Sequence, residues 1–186
     1  MDALENIFSR HSISKARPDP LPRELIEKLL AAAVQAPNHF RVRPWRFIVL
    51  SGQARNRLGE VMAQALLQRH PDSTELELNV ERARPLRAPV LIAVGVDKPG
   101  EPKVVEIENI CAAAAAVENL LLAANALGLG AMWRTGPAAR EPKVKQFLGL
   151  APDQDLIAFV YVGYPDILPE ARERPSFADR TVWMGE

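Results

Sequence analysis

The chain is 186 residues long and 48% hydrophobic, which suits a single domain over residues 1–186 with its own core. Its 23 Lys and Arg equal its 23 Asp and Glu, so the net charge is +0 and the basic surplus behind general nucleic-acid binding is absent. One cysteine, Cys111, excludes an intrachain disulfide framework and a four-cysteine zinc site, and it suits a reducing compartment, the cytoplasm being the expectation.

Asp2 and Glu5 stand where an export signal needs basic residues and an apolar run, so no such signal is expected. Leu4, Ile7 and Phe8 share one helical face, and the short helix they predict delivers Arg10-His11-Ser12. Pro22 suits the first turn of a second helix, in which Leu25, Ile26, Leu29, Leu30, Ala33 and Val34 keep the three-four spacing of a buried stripe. Pro37 disfavours helical geometry at Ala36 and is expected to end the helix there. A loop over residues 37–44 leads into a strand over 45–50, rich in aromatic and β-branched residues and stopped at Ser51-Gly52. Two helices follow, over about 53–68 and 75–84, and Pro89 opens a second strand over 90–96.

A polar connection over 97–103 precedes a long helix over about 105–127, whose alanines permit close packing and which Gly128 and Gly130 stop. Glu118 and Asn119 interrupt its apolar run, so it is too broken and too weakly apolar for a bilayer, and no membrane partner is expected. A short strand or extended turn over 131–136, a short helix over 141–148 and an apolar strand over 156–164 complete a mixture of helix and sheet. Residues 165–186 have no periodicity, yet they carry Ile167, Leu168, Phe177, Val182 and Trp183. Such a tail is expected to dock onto something.

Arg10 and Ser12 combine a permanent cation with a hydroxyl, a pair able to give charge-assisted bonds to a phosphate; the plain alternative is a solvated helix end. Arg134-Thr135 repeats that chemistry after Trp133, and the two pairs are able to converge on one anion. Gly128-Leu129-Gly130 is no dinucleotide fingerprint, because Trp133 fills the place of the third glycine and the motif follows a helix instead of opening one. Trp45 and Trp133 are either core aromatics or flat walls for a planar cofactor. His39 lies in the proline-bounded loop, and His11, His39 and His70 lack metal-ligand spacing, so no metal is expected. No basic residue stands within a turn of Cys111, which reads as a small core residue.

Four segments occur in order: Met1-Asp2-Ala3-Leu4 leading to Arg10-His11-Ser12; Ala36-Pro37-Asn38-His39 with Pro44-Trp45-Arg46-Phe47; Gly128 to Gly136; and Val162-Gly163-Tyr164-Pro165. Through them nearly the whole chain resembles the FMN-dependent nitroreductase family, especially its short, minimal bacterial branch. The resemblance implies an α+β fold, a mixed sheet flanked by helices, in which two copies interlock as a homodimer with FMN at the interface. It places Arg10, His11 and Ser12 at the phosphate and ribityl end, Trp133, Arg134 and Thr135 as a second contact segment of the same subunit, and Gln35 and His39 as contacts from the partner. Gln35 stands where the minimal branch tends to have arginine, and Arg43 where the family commonly has glutamine before Pro-Trp.

A flavin performs the hydride chemistry itself, so the protein need supply only cations, hydroxyls and flat apolar walls, and no catalytic side chain is implied. The activity implied by the resemblance is ping-pong electron transfer from NADH or NADPH, through FMN, to a small-molecule acceptor such as a nitroaromatic or quinone. Two alternatives remain open. One is a flavin-binding protein of the same fold with a different acceptor or no nitroreductase activity. The other is a flavin-free interaction protein that uses the apolar tail.

Overall fold

The structure, a computed structural model, describes residues 2–168 and 173–185. All seven residues of β2, Val90–Val96, are buried, and a strand apolar on both sides needs a covering layer on each face and a neighbour on each edge. The neighbours are β1 (Trp45–Ser51) and β4 (Asp155–Gly163), and β3 (Gly130–Arg134) lies beyond β4, giving the order β1-β2-β4-β3. Every ladder is antiparallel. Among the described residues the parallel component is one isolated bridge, Ser12 to Ala131, so the expected α+β fold stands and its mixed character is confined to that bridge.

The faces of β2 separate by strand alternation. Val90, Ile92, Val94 and Val96 pack under α2 (Arg23–Ala33) and α5 (Glu106–Ala126), against Leu29, Val117 and Leu120. Leu91 and Ala93 face α3 (Gln53–Arg69) and α6 (Pro142–Phe147), against Leu58, Met62 and Val144. α4 (Glu75–Ala83) opens with a Thr74–Glu77 capping box and packs outside α3 so closely that a Cβ at Gly59 would stand 2.3 Å from the Arg82 carbonyl oxygen.

α5 is the element on which the α2 side is built. By length and composition it could cross a bilayer, yet Ala113, Ala116, Val117, Leu120 and Ala124 are buried within this core. Its end follows the glycine signal: Gly128, at φ 70°, follows the cap residue Leu127, and the Leu129 N–H donates back to Ala124 O at 2.8 Å. Cys111 corrects the sequence reading, because it lies on the outer face of this helix and is exposed.

α2 also departs from expectation. It ends at Ala33 and not at Ala36, because the amides of Gln35 and Ala36 take carbonyls three residues back, tightening the chain before Pro37. Val34, expected in the buried stripe, is exposed as a result. The following loop contains a single 3₁₀ turn, His39–Arg41, with Phe40, Arg41 and Arg43 all at positive φ. The Asn38 side chain accepts a hydrogen bond from Arg43 N–H at 2.9 Å and holds that shape.

The backbone contact at Gly59 gives a sharp stability test. Gly59→Ala should lower unfolding stability by about 1–3 kcal/mol through forced separation of α3 and α4, whereas Gly100→Ala, with open space at its Cβ, should be near neutral. Equal urea midpoints for the two variants would contradict the packing described.

Candidate functional site

α1 (Ala3–Ser9) begins with a capping box between Asp2 and Glu5 and is fastened to α5 by side-chain amides. Asn6 Nδ2 donates to Leu122 O at 3.0 Å, and Asn125 Nδ2 donates to Asn6 Oδ1 at 2.8 Å and to Ser9 Oγ at 3.1 Å. The chain leaves α1 extended at Arg10 and settles beside β3, where the Ile13 N–H donates to Ala131 O at 3.0 Å. Two glycines paired across the sheet, Gly130 and Gly163, make this approach possible. A Cβ at Gly130 would meet Ile13 Cγ2 at 2.8 Å, and one at Gly163 would meet Ala16 Cβ at 2.7 Å. Gly130 therefore does more than end a helix: it admits the segment that carries Arg10 and Ser12.

Beyond Ala131 the outer edge of β3 is free of strand partners among the described residues. Because Ala131 O points outward to Ile13, the period of two turns the Trp133 N–H and C=O to the same open edge. The Trp133 indole is fixed by another irregularity. The β2–β4 register skips Ile157 between Ala158 and Leu156, and Trp133 Nε1 donates to the freed Ile157 carbonyl at 3.1 Å.

Strand alternation separates two residues expected to converge. Arg10 lies on the α5 side, its Nε 3.5 Å from Glu118 Oε1, whereas Arg134 lines a cavity on the opposite face with Phe159 and Tyr161. The notion that Arg10 and Arg134 close on one anion is thereby corrected. The second cation at the Arg10 corner is Arg174, whose Nη2 donates to the Arg10 carbonyl at 3.0 Å. Sequence reading passed over it because the tail has no periodicity from which to place it. Ser12 and Thr135 are exposed, at the bridge and just past the end of β3 respectively. His11 donates through Nδ1 to Ser9 O at 2.7 Å, which leaves Nε2 as the acceptor of the neutral ring.

Gln35 and His39 do not join this group within one chain. Gln35 is exposed and donates through Nε2 to Ala31 O at 3.3 Å, and His39 Nδ1 lies 3.4 Å from Glu108 Oε1. Glu108 and the Arg10 partner Glu118 are ten residues apart on α5, about 15 Å along its axis. The described residues thus bring the Arg10–Ser12 segment to β3 at Ala131, two residues before Trp133, and leave Gln35 and His39 exposed on another part of the chain. They contain no cluster of three or more His, Cys, Asp or Glu able to hold a metal.

The Nitroreductase family profile matches residues 7–164. The provisionally named NAD(P)H nitroreductase YdjA of Escherichia coli K12 is 33% identical over 168 residues, covering 90% of each chain. Among solved structures, a nitroreductase-like family protein from Bacillus cereus superposes with a TM-score of 0.86 at 24% identity, covering 100% of this chain and 97% of its own. A provisionally named nitroreductase from Desulfovibrio desulfuricans, solved in complex with FMN, gives 0.76 at 26% identity, covering 100% and 99%. A profile match spanning most of the chain, a relative at one-third identity and the shared α+β architecture lead to one assignment: this chain belongs to the nitroreductase family.

Proposed function

We propose that the protein is an FMN-dependent NAD(P)H oxidoreductase that reduces nitroaromatic or quinone-type acceptors, and that it works as a homodimer in the cytoplasm. The observation that carries the reading is the corner where Arg10, Arg174 and Ser12 meet the unpaired edge of β3. The residues present fit the group. A phosphate dianion suits two guanidinium groups and a hydroxyl, and a heteroatom-rich ring edge suits an outward N–H such as that of Trp133. The FMN-bound relative and the NAD(P)H relative support the same reading.

In this reading Arg10, Arg174 and Ser12 hold the phosphate, His11 offers Nε2 to the ribityl hydroxyls, and the Trp133–Thr135 backbone holds the ring. Arg134 takes part by spacing Trp133 and Thr135 along the edge, since alternation turns its own N–H and C=O to β4 and its side chain to the other face. When bound, FMN supplies the redox chemistry, taking hydride from NADH or NADPH and passing electrons to the acceptor in a second half-reaction. The protein needs no general acid or nucleophile of its own; its residues bind, orient and exclude water.

Gln35 and His39 serve the flavin of a second copy in this proposal, which is why they sit apart from Arg10 in one chain. A dimer also explains apolar surface that a monomer would leave open. Phe8 on α1 is 73% exposed, and Phe177 and Trp183 in the tail are 70% and 69% exposed. The tail is proposed to pack on the partner. In one chain its described residues touch the N-terminal segment through the Lys15–Asp166 ion pair at 2.7 Å and the Arg174 contact, while 169–172 lie outside the described residues.

Arg10→Ala and Arg174→Ala should each weaken FMN binding by about 1.5–3 kcal/mol, the range for a hydrogen bond to a charged group, and leave riboflavin binding nearly unchanged. Fluorescence titration with the two flavins checks this, and equal losses for both would remove these residues from the phosphate corner. Steady-state kinetics with NAD(P)H and a quinone should give parallel double-reciprocal lines. Intersecting lines would show donor and acceptor bound together and contradict the two-step cycle.

A further inference from the structure

The face of the sheet opposite α5 holds a cavity of about 330 Å³ between β3, β4, α3 and the segment after α4. Four guanidinium groups line it, those of Arg69, Arg84, Arg87 and Arg134. Only two carboxylates do so: Glu141 pairs with Arg69, and Glu81 lies 2.9 Å from Arg84. Among the described residues Arg87 and Arg134 have no ion-pair partner, and the buried Arg84 Nε has no hydrogen-bond acceptor. Tyr161 forms part of the wall, where burial pushes its phenol up against the opposing influence of Arg87, Arg134 and Arg84, so it stays a neutral O–H donor at physiological pH.

Two uncommitted cations, an unsatisfied N–H and a phenol around one small space form a donor set that outnumbers its acceptors, the two carboxylates being already paired. Guanidinium groups crowded in this way repel one another until an oxyanion lies between them, and a planar carboxylate or a phosphate matches their fork geometry. The cavity is large enough for such a group with a few attached atoms. It is also continuous with the proposed flavin edge, because Trp133, Arg134 and Thr135 belong to both. It is not the Arg10–Arg174 corner, which lies on the α5 side and shares no residue with this cavity.

We infer that this cavity is an oxyanion subsite, recognising a carboxylate or phosphate carried by a molecule that exchanges electrons at the flavin edge. The inference rests on the flavin reading for what the subsite serves, but the anion chemistry is its own. Two sources can present that group. One is the electron donor, through the 2′-phosphate that distinguishes NADPH from NADH; the other is a carboxylated aromatic acceptor.

The test is calorimetric binding to the full-length protein with saturating FMN, using probe pairs that differ only in the oxyanion. Adenosine 2′-phosphate against adenosine reads the donor source, and benzoate against benzamide reads the acceptor source. Arg87→Gln, at the exposed mouth, and Arg84→Gln, further in, are compared with the parent protein. If Arg84→Gln fails to fold, Arg87→Gln alone decides. The expected result is that at least one anion loses about tenfold or more in affinity while its neutral mate shifts less than twofold, and that FMN and riboflavin affinities do not change. The inference is overturned if neither anion binds the parent protein better than its neutral mate, or if charged and neutral probes weaken alike. Selective loss of FMN over riboflavin would also overturn it, since the cavity would then hold the cofactor's own phosphate. Failure of the flavin reading is seen separately, as a parent protein that takes up no FMN, and the anion pairs are then titrated without it.

Discussion

A strand with no solvent-facing side dictates this molecule. β2 is buried at all seven positions, so each face must be covered by helices and each edge by another strand. α5 meets the demand on one face with small residues that let it lie close, and α3 with α6 meets it on the other. What the arrangement leaves unsatisfied are the outer edges of the sheet. Along β3 that edge is only begun by the Ser12–Ala131 bridge, so outward N–H and C=O groups remain beside a cation-bearing loop. The site follows from the core, because a sheet closed on both faces can present backbone hydrogen-bonding groups only at its rim.

The proposed division of the site between two copies rests on the same geometry. α5 holds α1 through Asn125, which donates to Asn6 and Ser9, and pairs Glu118 in its C-terminal half with Arg10, while Glu108 in its N-terminal half lies beside His39. Along one helix these groups stay apart within a chain, and the proposed second copy would bring them to one ligand. The exposed apolar residues of α1 and the tail supply the surface such a pairing would bury. Alternation along β3 makes a further division, turning the Trp133 ring to the α5 side and the Arg134 guanidinium to the other. One edge can therefore serve a planar ring and a separate anion at once.

Much of the fold was legible in the sequence, for identifiable reasons. β2 was recovered at its observed ends because Pro89 and the polar residues after Val96 bound an unbroken apolar run. The long α5 was readable from its alanine-rich pattern and the glycine after it. The end of α2 was not, since the residue before a proline is only biased against helix and the chain tightened three residues earlier. Cys111 misled because α5 is apolar around much of its circumference, so composition did not reveal which side meets the sheet. In the candidate site, residue type singled out the local segments Arg10–Ser12 and Trp133–Thr135. Their relative facing, the place of Arg174 and the arginine cavity were not, because they depend on register and on contacts between residues more than a hundred positions apart, such as Arg174 with Arg10.

The central claim is that each flavin site is built from two chains, with Arg10 from one and His39 from the other. Mixed dimers of an Arg10→Ala chain and a His39→Ala chain, isolated with two different tags and titrated with FMN, test it most directly. The account predicts that each homodimer binds weakly at both sites, whereas the mixed dimer recovers one site of parent affinity per pair of chains, because one of its sites receives both intact residues. A mixed dimer with two equally weakened sites and none of parent affinity would contradict the shared site.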